Sequence, residues 1–194
     1  MSNDSYKETL LRESIQDTQA TIRALDVKAG FLFVFLCVPF GTMDKITPAF
    51  TTLIKSNNLF ILLILSFFVL WGYALVILFS SIAPQNNPKD SIDFNGITNQ
   101  PKGFLFGGYH LQKLGFFQLF QAEATPKEKI KLLDEINFIK NLSEEAYLEE
   151  LNVERGKLIT IRNLKTQRLN VCIKTIFIWL ILSASLWVIY LIVS

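Results

Sequence analysis

The side chains best placed to do chemistry are cations gathered where apolar sequence begins. Arg23 and Lys28 precede one apolar run, and Arg155, Arg162, Lys165 and Arg168 precede another. Guanidinium and ammonium groups brought to one level hold a phosphate through charge-assisted hydrogen bonds. Arg23, Lys28, Arg162, Lys165 and Arg168 are therefore candidate ligand contacts, and anchoring at lipid headgroups is the simpler account of the same residues. A second candidate is residues 103–120, GFLFGGYHLQKLGFFQLF, where six phenylalanine and tyrosine rings surround His110. Tyr109, His110 and their neighbours suit stacking on a planar ring; docking of the rings on adjacent helices or at a membrane interface is the simpler alternative. His110 is the single histidine of the chain, so two-histidine metal sites and histidine relays lack their partners. Gly107 and Gly108 are too little for a phosphate loop. The sequence thus calls for no enzymatic activity, no metal and no cofactor.

Asp26 stands apart from these cations. Two residues from Lys28 on a helix, it does not face that lysine. A charge at the edge of apolar sequence takes a partner from elsewhere, and Lys165 or Arg168 fits. Asp26 is expected to act as a structural pin between the first and last helices.

The elements that must position these residues are membrane spans. Leu59 to Ala83 contains no charged side chain, and Thr175 to Val193 is nearly as apolar. About 20 apolar residues cross a bilayer as a helix. Ala29 to Met43 is short for a span, and crosses if Val27 and Lys28 extend it and the mildly apolar ITPAFTTLI stretch completes its far end; a re-entrant or interfacial segment is the alternative. Three spans make an all-α membrane protein. The expected organisation is a cytoplasmic amphipathic helix over 1–28 and two transmembrane helices with a short external loop over 29–83. A cytoplasmic subdomain with a stalk helix follows over 84–170, and a third transmembrane helix over 171–194. Residues 1–28 hold four lysines and arginines and residues 84–171 twelve, against Lys45 and Lys55 between the first two spans. The positive-inside rule then places the N-terminus and residues 84–171 in the cytoplasm. No signal peptide is expected before the first span. A net charge of +2 with no dense basic run gives no reason to expect nucleic acid as a partner.

Leu11, Ile15, Thr18, Ile22, Leu25, Ala29 and Leu32 recur at intervals of four and three, which predicts one helix running from outside the bilayer into it. Ser143, Glu144 and Glu145 open a second stalk, with Leu148, Leu151, Leu158, Ile161 and Leu164 as its apolar stripe. No proline follows Pro126, so residues 143–193 read as one helix of about 75 Å, with Gly156 its weakest point. Glu144, Glu145, Glu149, Glu150 and Glu154 are assigned to its solvated face. A short amphipathic helix is expected over 126–141. Cys37 and Cys172 read as small buried side chains.

The order of these elements resembles a known family. Leu25-Asp26-Val27-Lys28-Ala29 at the mouth of the first span is followed by a second span closing in Ile82-Ala83-Pro84. Ile92-Asp93-Phe94, Phe104 to His110, and a late helix with Ile161 and Lys165 complete the series. This order is similar to that of the Pycsar effector transmembrane family, bacterial membrane proteins linked to antiphage defence by cyclic nucleotide signalling. The resemblance runs from about Leu10 to Leu191. It implies an inner-membrane effector, a homo-oligomer, that impairs membrane integrity when a cyclic mononucleotide (cCMP or cUMP) or a sensor protein triggers it. The alternative function is a membrane scaffold or sensor that recruits a soluble partner through residues 84–171 and forms no pore.

Overall fold

The computed structural model describes residues 3–83 and 132–193. These fold into five helices: α1 (Asn3–Gly41), α2 (Met43–Ser56), α3 (Leu59–Ile82), α4 (Leu132–Lys140) and α5 (Glu144–Val193). The chain divides into two compact units. A stalk unit comprises Met1–Gln19 with Asn87–Thr160, and a bundle unit comprises Ala20–Asn86 with Ile161–Ser194. Helices α1 and α5 contribute to both.

The stalk unit has the seam that the spacing predicts. Leu11, Ile15 and Leu151 are buried together, with Tyr147, Leu148 and Leu158 packed against them. Ser143 opens α5 as its N-cap, its Oγ accepting the Ala146 N–H at 3.3 Å, while Glu144 and Glu145 complement the helix dipole in the first turn. The helix continues through Gly156. Two glutamates assigned to the solvated face are not on it. Glu150 is only 3% exposed, and Glu154 accepts a 3.0 Å ion pair from the buried Lys157. Residues 150, 153 and 157 fall on one stripe at about 100° per residue, and all three are buried. That stripe is a second covered face, which the charges concealed. Helix α4 lies within the expected 126–141 element; residues 126–131 fall outside the described residues.

The bundle unit is built from apolar helices. One cluster joins Ala29 and Leu36 of α1, Ala74 and Leu78 of α3, and Leu169, Cys172 and Ile176 of α5. A second joins Leu53 of α2, Ile64 and Phe67 of α3, and Trp179 and Leu186 of α5. Cys172 is fully buried, whereas Cys37 is only half-buried. Three helices, α1, α3 and α5, are long and apolar enough to cross a membrane. The outward surface agrees, since Phe31 is 73% exposed, Leu62 67% and Phe177 64%. An apolar exterior of this kind marks a surface that faces a membrane or another protein.

The first span ends differently from the expectation. Pro39, having no N–H, leaves the Phe35 carbonyl without its helical donor, and α1 stops two residues later at Gly41. Thr42 turns the chain, its carbonyl accepting the N–H groups of Lys45 and Ile46, both at 3.1 Å. The ITPAFTTLI stretch therefore belongs to a separate amphipathic helix. In α2 Ala49 and Leu53 are buried while Asp44, Lys45 and Lys55 are exposed. Asn57 then closes α2, its N–H bonding the Leu53 carbonyl, and its Oδ1 accepts the Leu59 N–H that opens α3.

Candidate functional site

One turn of α5 ties three helices together in the bundle unit. Lys165 Nζ donates to Asp26 Oδ1 of α1. The lysine side chain is 10% exposed and the aspartate 47%, so the ammonium carries most of the desolvation. Three residues on, Arg168 Nη1 donates to the Ser80 carbonyl of α3. The sequence explains that choice. The residue four beyond Ser80 is Pro84, which has no N–H to give, so the carbonyl near the C-terminus of α3 needs a donor from outside its own helix. A guanidinium also suits the negative end of the helix dipole. Lys165 and Arg168, about 60° apart around α5, thus reach two different neighbours.

The remaining candidate cations do not share this cluster. Arg162 Nε and Nη2 both bond Asn163 Oδ1, at 3.4 and 3.2 Å, within the same helix. Arg23 and Lys28 are exposed on α1. Arg155 belongs to the stalk unit, where its Nε donates to Ser14 Oγ at 2.9 Å. Tyr109 and His110 lie outside the described residues. Among the described residues, no group of three or more histidine, cysteine, aspartate and glutamate side chains could hold a metal ion.

The stalk unit carries a polar cluster that sequence reading missed. Arg12 Nε donates to Glu8 Oε1 at 2.9 Å, its Nη2 donates to the Tyr147 hydroxyl, and that hydroxyl donates to Glu8 at 3.3 Å. The guanidinium also lies 5.6 Å from the Tyr147 ring centre, a cation–π contact. Both groups precede the apolar stretches of their helices. Burial pushes the Tyr147 hydroxyl above its ordinary value, against the opposing effect of Arg12, and the Glu8 hydrogen bond raises Arg12 further. The available signal was positional. Tyr147 stands one turn before Leu151 on the apolar stripe, where a polar tip beside an apolar seam finds a partner on the facing helix.

Deeper in the bundle, hydrogen bonds run to the backbone. Trp71 Nε1 donates to the Leu36 carbonyl at 2.9 Å, and Cys172 Sγ lies 3.5 Å from the Ala74 carbonyl. The hydroxyls of Ser66, Thr175, Ser183 and Ser185 each return to the carbonyl four residues earlier in their own helix. The donor of each of these hydroxyls is therefore satisfied within its own helix.

A family model described as the Pycsar effector protein domain matches residues 10–194. No curated protein and no solved structure matches the chain. With nearly its whole length matched and three span-length helices in its fold, the chain belongs to the Pycsar effector family and is a membrane-located effector of antiphage defence.

Proposed function

We propose that this effector rests in a closed state held by the Lys165 link to Asp26 and the Arg168 link to Ser80, and that a trigger separates α1 from α5 and impairs the membrane. The observation that carries the reading is the position of the two links. They join α1, α3 and α5 within a single turn of α5, where the stalk parts of α1 and α5 give way to their apolar parts. Once the stalk seam has parted, a pull along α1 or α5 loads this turn before the buried contacts of Ala29 and Leu36. The trigger is a cyclic mononucleotide (cCMP or cUMP) or a partner protein that senses one. The lysine and arginine distribution supports a bacterial inner-membrane protein with its N-terminus and residues 84–171 in the cytoplasm. Since the span hydroxyls are spent on their own helices, damage to the bilayer comes from rearrangement of several copies in a homo-oligomer and not from a standing channel within one chain. The effector acts without enzymatic activity of its own.

Dye release from liposomes holding the purified protein tests this, with cCMP, cUMP and the cyclic purine mononucleotides added one at a time. Release with one nucleotide and not the others is expected if the chain itself senses the trigger. Asp26→Asn is expected to raise release in the absence of nucleotide. Folded, inserted protein that stays tight with every nucleotide, in the wild type and in Asp26→Asn alike, would overturn the closed-state reading and favour a scaffold that recruits a soluble partner.

A further inference from the structure

Helix α2 is packed on one side and open on another. Against α3 it is closed, with the Phe50 ring 5.5 Å from Phe67 and 5.9 Å from Phe68, and with Leu53 buried beside Ile64. Between α2 and the last turns of α5 there is instead a cavity of about 400 Å³, lined by Ala49, Phe50, Leu53, Ala184 and Trp187 among others. Its size suits a small ligand. The space exists because alanines stand where larger side chains would have closed it.

The lining decides what enters. Apart from Ser183, the Trp187 indole N–H and the Tyr190 hydroxyl the lining side chains are apolar, and the Ser183 hydroxyl already donates to the Trp179 carbonyl at 2.7 Å. Water needs two to four polar partners to occupy such a space, and a nucleotide would lose its hydration without replacement. The medium around this unit is the bilayer, so the occupant with matching chemistry is a hydrocarbon chain. A second feature of the same lining orients the lipid. Trp187 and Tyr190 sit together with ring centres 5.5 Å apart near the end of α5, and paired amphipathic aromatics of this kind mark the headgroup level. Lys45 is exposed on α2 one turn before Ala49, next to the lining residue Ile46.

We propose that the cleft between α2 and the end of α5 is a phospholipid site, taking one acyl chain in the cavity with the phosphate paired to Lys45. The lipid completes the packing of α2, so the position of that helix depends on lipid composition. This inference needs only the membrane location of the bundle and stands apart from the nature of the trigger.

The test is native mass spectrometry of the full chain, relipidated with an equal mixture of phosphatidylglycerol and phosphatidylcholine and then washed with delipidating detergent. Wild type is expected to keep one phospholipid per chain. Ala184→Phe fills the cleft from an exposed position that tolerates the larger ring, and retention should fall about tenfold. Lys45→Gln should lower retention about threefold by removing the phosphate contact while leaving the cavity intact. Complete loss of lipid from wild type, or equal retention by wild type and Ala184→Phe with unchanged helical circular dichroism, would mean annular lipid only and would overturn the site. Unchanged retention by Lys45→Gln would overturn the phosphate contact.

Discussion

In the stalk unit α1 and α5 are joined by long polar side chains around a small apolar seam, whereas in the bundle unit they are joined through buried carbon, and backbone-directed bonds tie each of them to α3. Leu11, Ile15 and Leu151 are the buried apolar residues of the stalk seam. Around them run Arg12 to Glu8 and Tyr147, and Arg155 to Ser14. Two larger clusters fill the bundle. Water and salt compete for the stalk contacts, and nothing in a bilayer competes for the packing of Ala29 and Leu36 against Leu169, Cys172 and Ile176. The same helix pair is therefore easy to part at one end and hard to part at the other. The Lys165 and Arg168 links stand where that resistance begins.

The largest effect that sharpens this contrast is expected from truncating the bundle core. Leu36 is fully buried, and Leu36→Ala should destabilise by about 2–5 kcal/mol through lost contacts and a residual cavity. Thermal unfolding in mild detergent, followed by circular dichroism, checks it. Leu151→Ala in the stalk removes a residue of similar burial, 2% exposed, from a smaller cluster that collapses more readily. Its cost should be nearer about 2 kcal/mol, and hydrogen exchange should show the loss in residues 5–19 and 144–160 while residues 59–82 keep their protection. Equal losses throughout would mean that the two units unfold as one.

An asymmetric pair of variants comes next. Asp26→Asn leaves the Lys165 ammonium, 10% exposed, without its counter-charge, at a cost of about 1–3 kcal/mol. Lys165→Met leaves Asp26, 47% exposed, free to hydrate, and its cost should stay below about 1 kcal/mol. Thermal unfolding of the two variants side by side measures the difference. A larger loss for Lys165→Met, which keeps most of the apolar stem, would show that the ammonium holds more than Asp26 alone.

How far these contacts could be read beforehand depends on what each one uses. The seam at Leu11, Ile15 and Ala29 was legible because burial repeats with the helical period. The need of Asp26 for a distant cation was legible from its place at the edge of apolar sequence. The choice of Lys165 over Arg168 was not, since it turns on about 60° of rotation of α5. Arg168 to Ser80, and Trp71 to Leu36, escaped because their acceptors are carbonyls, which every residue has; only the proline four residues after Ser80 hinted at an unfilled one. The separation of α2 from α1 was hidden for a different reason. Pro39 and Pro48 both lie inside helices, and the break falls between them at Gly41 and Thr42, where a single glycine in an apolar run also reads as a tolerated helix residue. Glu150 and Glu154 were misplaced because the charge pattern of an isolated helix cannot show that a second face is covered.

A smaller effect probes the bundle's backbone-directed bonds. Trp71→Phe keeps most of the ring, which packs edge-on against Phe40 at 4.8 Å between ring centres, and removes the donor to Leu36. The carbonyl retains its own helical partner, so about 1 kcal/mol should be lost, with no dependence on ionic strength. Unfolding in detergent at low and high salt reads both quantities.

The smallest effect, and the sharpest contrast with the last, belongs to the stalk cluster. Tyr147→Phe removes a hydroxyl that accepts from Arg12 and donates to Glu8, yet Arg12 and Glu8 keep each other, with side chains 57% and 38% exposed. The loss should be no more than about 0.5 kcal/mol. Because burial raises the Tyr147 hydroxyl in the folded chain, its contribution is complete below the ordinary tyrosine value of about 10. It declines as pH rises past that value, where the unfolded chain releases the proton first. Wild type should therefore lose more stalk protection between pH 9 and 11 (roughly the range around that value) than Tyr147→Phe does. Arg12→Gln should weaken protection of residues 5–19 at low salt and differ little from wild type at high salt. Hydrogen exchange over that salt series separates the two ends of the helix pair. If residues 20–36 responded to salt as strongly as residues 5–19, ionic contacts would govern the bundle as well, and a pull on the stalk would no longer be expected to load the Lys165 and Arg168 links first.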